Sequence, residues 1–516
     1  MVWQGQDLFS DDAYYYLVTA SNFVETGRFT FDGLSQTNGF HPLLFWLEAA
    51  GLALFGTPSD PMRLYWGVCC DMGALFLLVL AGALQAVHTR SRFDDDAPAR
   101  HALLLTLCVV LLPRFTTPYL GGMESILVLP LLLALGVLTW ERRYGFAGIV
   151  ALLLVMARLD MAPYVVGPIS LFCVWRERDG GWAALQSGIY VALPAILGTL
   201  LLMGWHQWAF GHPVPIHGVL KSCFPRIHFQ PENLFSTTPA YALLAAVSGA
   251  ALLLRDRECG KEACRLGLAA AAIALLQLAA FTLFQKWSKP IPVWYVGPAV
   301  LAGTYALAVG IVNTIGLRWM RPLTLVAGIA VLAVNLAAAA RSWDPQWQTT
   351  PDGPKPPPAT LPAEIVEFMK TQPDDRIWAC TDCGKLAFWS GRAVVNLDGL
   401  VNDFEYQKAL RDGKLSQYLL ARNVRYLVFL VWDRPQIDHG SYEPMYDCRV
   451  APDLFAGDYR WADFQVVSYQ YMNRSDTVRL PRQAEIWRST ASPDGNAMGR
   501  AVIFDLDVAR RLEPRR

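Results

Sequence analysis

Charge is scarce in this sequence. Asp, Glu, Lys and Arg make up 17% of its 516 residues, and 44 acids balance 44 bases to a formal net charge of zero. An ordinary soluble protein carries about 25% charged residues. With hydrophobic residues at 53%, the deficit excludes a disordered chain, and the neutral balance argues against the basic footprint of a nucleic-acid binder. Nucleophilic-serine elbows, phosphate loops and Cys/His zinc frameworks are also missing. The ten cysteines are scattered, mostly through apolar stretches, which excludes a disulfide scaffold.

What is present is apolar sequence in blocks. Ten runs are read as membrane spans: 62–88, 101–118, 123–140, 145–158, 161–175, 182–208, 240–254, 263–285, 292–316 and 322–341. A helix needs about 20 apolar residues to cross a hydrocarbon core, somewhat fewer where the bilayer thins. The loops holding Arg90, Arg92 and Arg100, Arg142 and Arg143, Arg176 and Arg178, Arg255 to Arg265, and Arg318 and Arg321 are rich in cations and alternate with poorer ones. By the positive-inside rule they are cytoplasmic. This parity requires two short helices over 145–175, meeting at Arg158-Leu159-Asp160; a single crossing of 31 residues would put Arg142 and Arg176 on opposite sides.

The N-terminal segment 1–61, the 206–239 loop and the chain after the last span then face outward. Residues 1–42 are polar and aromatic and carry no signal peptide, so either the first helix translocates a short tail or, the preferred reading, a transmembrane helix upstream of Met1 is missing. Residues 1–341 form the membrane module, 342–362 a Pro-rich linker, and 363–516 one α/β domain. In that domain helices are expected at 361–371 and 403–422, and strands at 376–380, 393–397, 425–431, 464–470, 484–489 and 499–505. Cys380-Thr381-Asp382-Cys383 would sit in an oxidising compartment, where a local disulfide is conceivable. The order of elements around it does not fit a thioredoxin-like motif.

The chemistry-bearing residues gather near the start. Ser10-Asp11-Asp12-Ala13-Tyr14-Tyr15-Tyr16 opens a helix running to about Glu25, and one reading of the acids is simply as caps at the positive end of a helix dipole. Two turns follow, Gly27–Gly33 and Thr37–Pro42. Leu43–Phe55 is then an apolar helix too short to span, carrying Trp46 and lying along the interface.

In this order the residues resemble the GT-C glycosyltransferases, membrane enzymes that take a sugar from a polyprenyl-phosphate carrier. The pattern is most nearly that of uncharacterised bacterial members, and more distantly that of aminoarabinose transferases and protein O-mannosyltransferases. It is carried by the acidic pair with its tyrosines (Asp11–Tyr15), Thr37–Pro42, Gly122–Glu124, Ala157–Asp160, Gly211–Pro215 followed by Lys221, and Asp398–Asn402. The fold implied is a polytopic α-helical membrane protein, a GT-C-like helix bundle with interfacial helices, plus a C-terminal α/β soluble domain.

The resemblance also implies the site. A polyprenyl phosphate is a good leaving group, whereas an acceptor hydroxyl is a poor nucleophile, so one carboxylate must take its proton. Unlike glycoside hydrolases, such an inverting displacement needs no paired acid. Asp11 would be that base, with Asp12 at the second acidic position. Alternatively Asp11 and Asp12, joined by Glu124, would hold a divalent cation, magnesium or manganese. His41 stands where the aminoarabinose transferases carry a Lys, and is either a donor-phosphate contact or a turn residue packed on Trp46. Arg158 is either a phosphate fork or half of a structural pair with Asp160. Glu124 either joins the acids or complements a helix dipole.

The 206–239 loop holds His206, His212, His217 and His228, with Lys221 and Arg226 placed to meet an anionic lipid head. A zinc site from His212 and His217 is the minor reading. Lys286 and Lys289, flanking Trp287, read first as interface anchors. The implied partners are membrane lipid, a polyprenyl-phosphate-linked sugar, and a glycan, lipid or protein acceptor, with no nucleic acid. The implied place is the outer side of a bacterial inner membrane. Two rivals stand: a transporter or flippase, which would be built on repeats and mid-membrane charges not seen here, and a non-catalytic subunit that binds a lipid-linked sugar.

Overall fold

The apolar blocks become helices because a bilayer offers no water to an open backbone group. The computed structural model describes residues 9–55, 73, 97–112, 121–235, 237–255, 261–286, 293–315, 317–342, 349–350, 353–354, 361–431, 460–467, 475–489 and 500–512. The helices of the first part are α1 (Asp11–Thr26), α2 (Pro42–Phe55), α3 (Ala97–Val110), α4 (Ser125–Trp140), α5 (Tyr144–Ala157) and α6 (Gly167–Arg176), the last entered through a π-helical turn, Ala162–Val166. They continue as α7 (Trp182–Phe210), α8 (Ile216–Lys221), α9 (Thr237–Arg255), α10 (Lys261–Phe284), α11 (Val293–Ile315) and α12 (Leu317–Ser342). Nine of the ten apolar runs thus hold a helix among the described residues, that of 101–118 ending at Val110, and the first, 62–88, lies outside the described residues except for Gly73.

Among the described residues four helices, Trp182–Phe210, Thr237–Leu254, Glu262–Phe284 and Tyr295–Ile315, are long and apolar enough to cross a membrane. The 29 residues of α7 reach roughly 43 Å, beyond an approximately 30 Å core. By contrast α4 and α5 are shorter apolar helices, Ser125–Trp140 and Tyr144–Ala157. Small residues let the long helices close up: a side chain on Gly303 of α11 would lie 2.8 Å from the Ala242 carbonyl oxygen of α9.

The 145–175 region is two helices meeting at Arg158–Asp160, as the charge parity requires. One pole of the bundle therefore collects the cationic loops. There Arg142 pairs with Glu262 (3.0 Å) and Glu177 (3.4 Å), and Arg176 pairs with Glu262 (2.5 Å). Arg176 also donates to the carbonyls of Thr139 (2.9 Å) and Trp140 (2.8 Å), satisfying the end of α4. The opposite ends of α4, α5, α6 and α11 carry Glu124, Arg158, Asp160 and Tyr295.

The C-terminal part comprises α13 (Leu361–Thr371), β1 (Ile377–Cys380), α14 (Gly384–Ser390), β2 (Val394–Asn396), α15 (Phe404–Arg411), α16 (Leu415–Ala421) and β3 (Val424–Val431). It ends with β4 (Trp461–Val467), β5 (Ser475–Pro481), β6 (Glu485–Arg488), β7 (Arg500–Asp505) and α17 (Leu506–Leu512). Five strands form one sheet in the order β2-β1-β3-β7-β6, with β1 parallel to β2 and β3, and β7 antiparallel to β3 and to the edge strand β6; β4 and β5 pair separately. The expected strands are present with shifts of a few residues. The helices expected over 403–422 are α15 and α16, parted at Gly413 with its positive φ of 66°. Within the linker, Thr349–Thr350 pairs with Gly353–Pro354.

One hydrophobic core runs from Phe9, Tyr14 and Phe45 through the helix bundle to Trp378, Cys383 and Trp389, so the α/β domain is packed on the membrane module rather than strung from it. Cys380 and Cys383 are both buried free thiols, which corrects the conceivable disulfide. Cys380 Sγ donates to the Thr381 carbonyl (2.8 Å), and Asn396 Nδ2 donates to Cys383 Sγ (3.3 Å).

Candidate active site

Successive residues on a helix point about 100° apart, whereas residues four apart share a face. On α1 this splits the acidic pair. Asp11 and Tyr15 face the α/β domain. Asp11 Oδ2 accepts from the Gly384 amide (2.9 Å) and Oδ1 from the Lys385 amide (2.8 Å), while Tyr15 Oη donates to Asp398 Oδ2 (2.7 Å). Asp12 and Tyr16 face the helix bundle. Tyr16 Oη donates to Glu124 Oε2 (3.3 Å). Asp12 is half-buried and has no hydrogen-bond partner among the described residues, but lies within electrostatic reach of Lys221 and Glu124.

Ala13 and Gly122 explain how α1 comes so close to the Gly121–Glu124 turn. The Ser10 amide donates to the Gly121 carbonyl (3.1 Å). Gly122 has φ of 77°, and a methyl there would lie 2.8 Å from Ala13 Cβ. Gly122→Ala is therefore expected to cost about 1–3 kcal/mol through backbone strain and overpacking, read as a lowered melting temperature in detergent.

The Thr37–Pro42 turn joins three parts of the chain. Thr37 Oγ1 donates to the Asn402 carbonyl (3.0 Å), and any side chain on Gly39 would overlap the Leu400 carbonyl. Asn38 Oδ1 accepts from the Ile216 amide (2.9 Å), while its Nδ2 lies 3.3 Å from both His206 Nδ1 and the Val214 carbonyl. Phe40 stacks on Phe45 at 4.3 Å between centroids. His41 is thereby delivered to Glu124, with Nε2 3.7 Å from Oε1, and its ring packs on His217 at 4.5 Å.

Around Glu124 the sequence-nominated residues converge. Arg158 grips Asp160 through Nε (3.0 Å) and Nη2 (2.5 Å). Its guanidinium lies 5.2 Å over the Tyr295 ring. Lys221 Nζ donates to Tyr295 Oη (2.6 Å). Gln277 Nε2 holds the Tyr295 carbonyl (3.1 Å). Tyr16, Tyr295 and Gln277 were not nominated by sequence: a Tyr at the start of an apolar run has the signature of an interface aromatic. Arg226 is not gathered in; it is exposed on the following loop. Lys286 Nζ donates to the Val219 carbonyl (2.6 Å), and Lys289 lies outside the described residues.

Burial pushes the Asp12 carboxyl up; Lys221 draws it back and Glu124 adds to the rise. Asp11 is also raised by burial, against the two amides that hold it. Burial and the cations Arg158 and Lys221 hold His41 well below the usual histidine range, leaving a neutral imidazole. Burial would lower Lys221, but Tyr295, Asp12 and Glu124 outweigh it and keep the ammonium charged.

The divalent-cation reading does not fit this donor set. Among the described residues no three His, Cys, Asp or Glu side chains are placed to hold a metal. Asp11 is turned to the other domain, and Lys221 supplies the charge that faces Asp12 and Glu124. The zinc reading also fails, since His212 stacks on Phe404 at 3.6 Å whereas His217 packs on His41.

No family model and no curated protein sequence matches the chain. Among solved structures it is similar to ArnT from Cupriavidus metallidurans bound to undecaprenyl phosphate, at 12% identity and a TM-score of 0.48, over 93% of this chain and 96% of that one. It is also similar to the archaeal oligosaccharyltransferase AglB from Archaeoglobus fulgidus in complex with an inhibitory peptide and a dolichol-phosphate, at 14% identity and a TM-score of 0.45, over 82% of this chain. That match spans 66% of the oligosaccharyltransferase, just under two thirds of its length.

Proposed function

We propose that the chain is a glycosyltransferase at the outer face of a bacterial inner membrane. It moves a sugar from a polyprenyl-phosphate donor to an acceptor hydroxyl, inverting the anomeric carbon in one displacement. The observation that carries this reading is the divergence of the acidic pair: Asp11 is bound by two amides, while Asp12 lies within electrostatic reach of the Lys221 ammonium and its carboxylate has no hydrogen-bond partner among the described residues. Asp12, not Asp11, is therefore the base. The acceptor oxygen attacks the anomeric carbon, its proton passes to the Asp12 carboxylate, and the bond from that carbon to the phosphate oxygen breaks.

Negative charge develops on the departing phosphate, and Lys221 is the group that meets it. After its bond to Tyr295 the ammonium has two further N–H donors. Arg158, with its fork on Asp160, lends charge from behind Tyr295 and holds that ring in place. Neutral His41 offers a hydrogen bond rather than a charge. No step runs through a divalent cation.

Asp12 must be ionised to act, and burial raises its pKa. The rate is expected to fall as pH drops through a limb lying above the ordinary aspartate value of about 3.9. A kcat/KM–pH profile, which reports the groups of the free enzyme, checks this. A limb in the ordinary carboxylate range would contradict the buried base.

The reading itself is tested with purified protein and a panel of defined polyprenyl-phosphate sugars, with and without chelator. Release of polyprenyl phosphate with sugar transfer, unchanged by chelator, is expected. Binding without turnover would favour a lipid-linked-sugar-binding subunit. Passage of intact lipid across a vesicle bilayer would favour a flippase.

A further inference from the structure

We propose that the α/β domain is a working part of the active site, and that Asp11 is the positioning residue through which it aims Asp12. This rests on the glycosyltransferase reading above.

Five hydrogen bonds join the stretch before α2 to the β1–β2 side of the sheet. Asp11 accepts the amides of Gly384 (2.9 Å) and Lys385 (2.8 Å). Tyr15 Oη donates to Asp398 Oδ2 (2.7 Å) and accepts from Asn396 Nδ2 (3.2 Å). Thr37 Oγ1 donates to the Asn402 carbonyl (3.0 Å). The two sides also meet as bare backbone: a Cβ on Gly384 would overlap the Asp11 carbonyl, and one on Gly39 would overlap that of Leu400. Apolar packing backs these ties, with Tyr14 5.1 Å from Phe388 between ring centroids.

The ties act at the residue that matters. Among the described residues no hydrogen bond holds the Asp12 carboxylate, so its place is set by its backbone neighbours, and the nearest fixed point is the Asp11 carboxylate one residue earlier. A misplacement of about 1 Å at a reacting group costs on the order of 10²-fold in rate. The domain reaches the chemistry through the backbone of α1.

A base and an anchor respond differently to the same two substitutions. If Asp11 were a base, Asn and Ala would be equally inactive. As an anchor, Asp11→Asn keeps a carbonyl oxygen for one amide and should retain at least about a tenth of wild-type kcat. Asp11→Ala should lose about 10²-fold, with donor KM unchanged for both. Hydrogen exchange at residues 384–386 supplies a readout independent of turnover: faster in Asp11→Ala, intermediate in Asp11→Asn, unchanged in Asp12→Ala. Should Asp11→Ala fail to fold, Tyr15→Phe, which removes the donor to Asp398, should give the same pattern more mildly.

Equal inactivity of the Asn and Ala variants, or exchange at 384–386 that ignores Asp11, would overturn the proposal. If the wild type transfers no sugar from any polyprenyl-phosphate donor, the functional reading falls, and the aiming role falls with it. The exchange result would still decide separately whether the anchor exists.

Discussion

Asp12→Asn is expected to lower kcat by about 10²- to 10⁴-fold, the range a positioned general base contributes, while donor affinity stays the same or rises. The two halves of this expectation have separate causes. The amide is isosteric but cannot take the acceptor proton, so the displacement loses its base. Binding survives because the Asp12 carboxylate makes no hydrogen bond among the described residues, and removing a negative charge beside Lys221 leaves the ammonium freer to meet the donor phosphate. Titrating the variant with a fluorescent polyprenyl-phosphate sugar and measuring its turnover separates the two. Retained turnover would remove Asp12 from the mechanism. Loss of binding together with turnover would make it a binding residue.

Lys221→Met should have the second-largest effect, about 10²- to 10³-fold in kcat, as for loss of one preorganised donor to a developing anion. Here the donor Kd should weaken as well, because the ammonium meets the phosphate in ground state and transition state alike. A further consequence follows from the charges around it. Lys221 is the cation that draws the Asp12 pKa down against burial and Glu124. Without it the acid limb of the rate profile should move to higher pH. Lys221→Arg keeps the charge but not the compact geometry that reaches Tyr295 Oη at 2.6 Å, so it should restore the limb more fully than the rate. A Met variant with normal kcat and an unmoved limb would exclude Lys221 from the site.

The architecture was largely open to reading in one dimension because its signals are local. Apolar length marked the helices, and loop cations required two short helices over 145–175, whose junction at Arg158–Asp160 the structure contains. Strand runs such as 425–431 stand out by composition. The short α14 and β5 do not, since seven residues in each case carry too little periodicity.

The site was harder because its decisive partners are distant. Asp11 and Asp12 are chemically identical neighbours at a helix start, where both satisfy the cap reading. What separates them is a pair of amides 373 and 374 residues away. The four-residue spacing of Asp11 with Tyr15 and Asp12 with Tyr16 already implies two faces, but not which face meets the bundle. Arg226 and the 206–239 histidines show the converse limit. Richness in cations and imidazoles marks a segment, whereas burial chooses among its members, taking Lys221 and His217 inward and leaving Arg226 exposed.

The central claim is a single displacement assisted by one carboxylate, and the configuration of the product tests it most directly. NMR of the sugar transferred from a donor of known anomeric configuration should show complete inversion at the anomeric carbon. Retention would require a covalent glycosyl-enzyme or a second displacement, for which one base at Asp12 does not suffice, and would contradict the account.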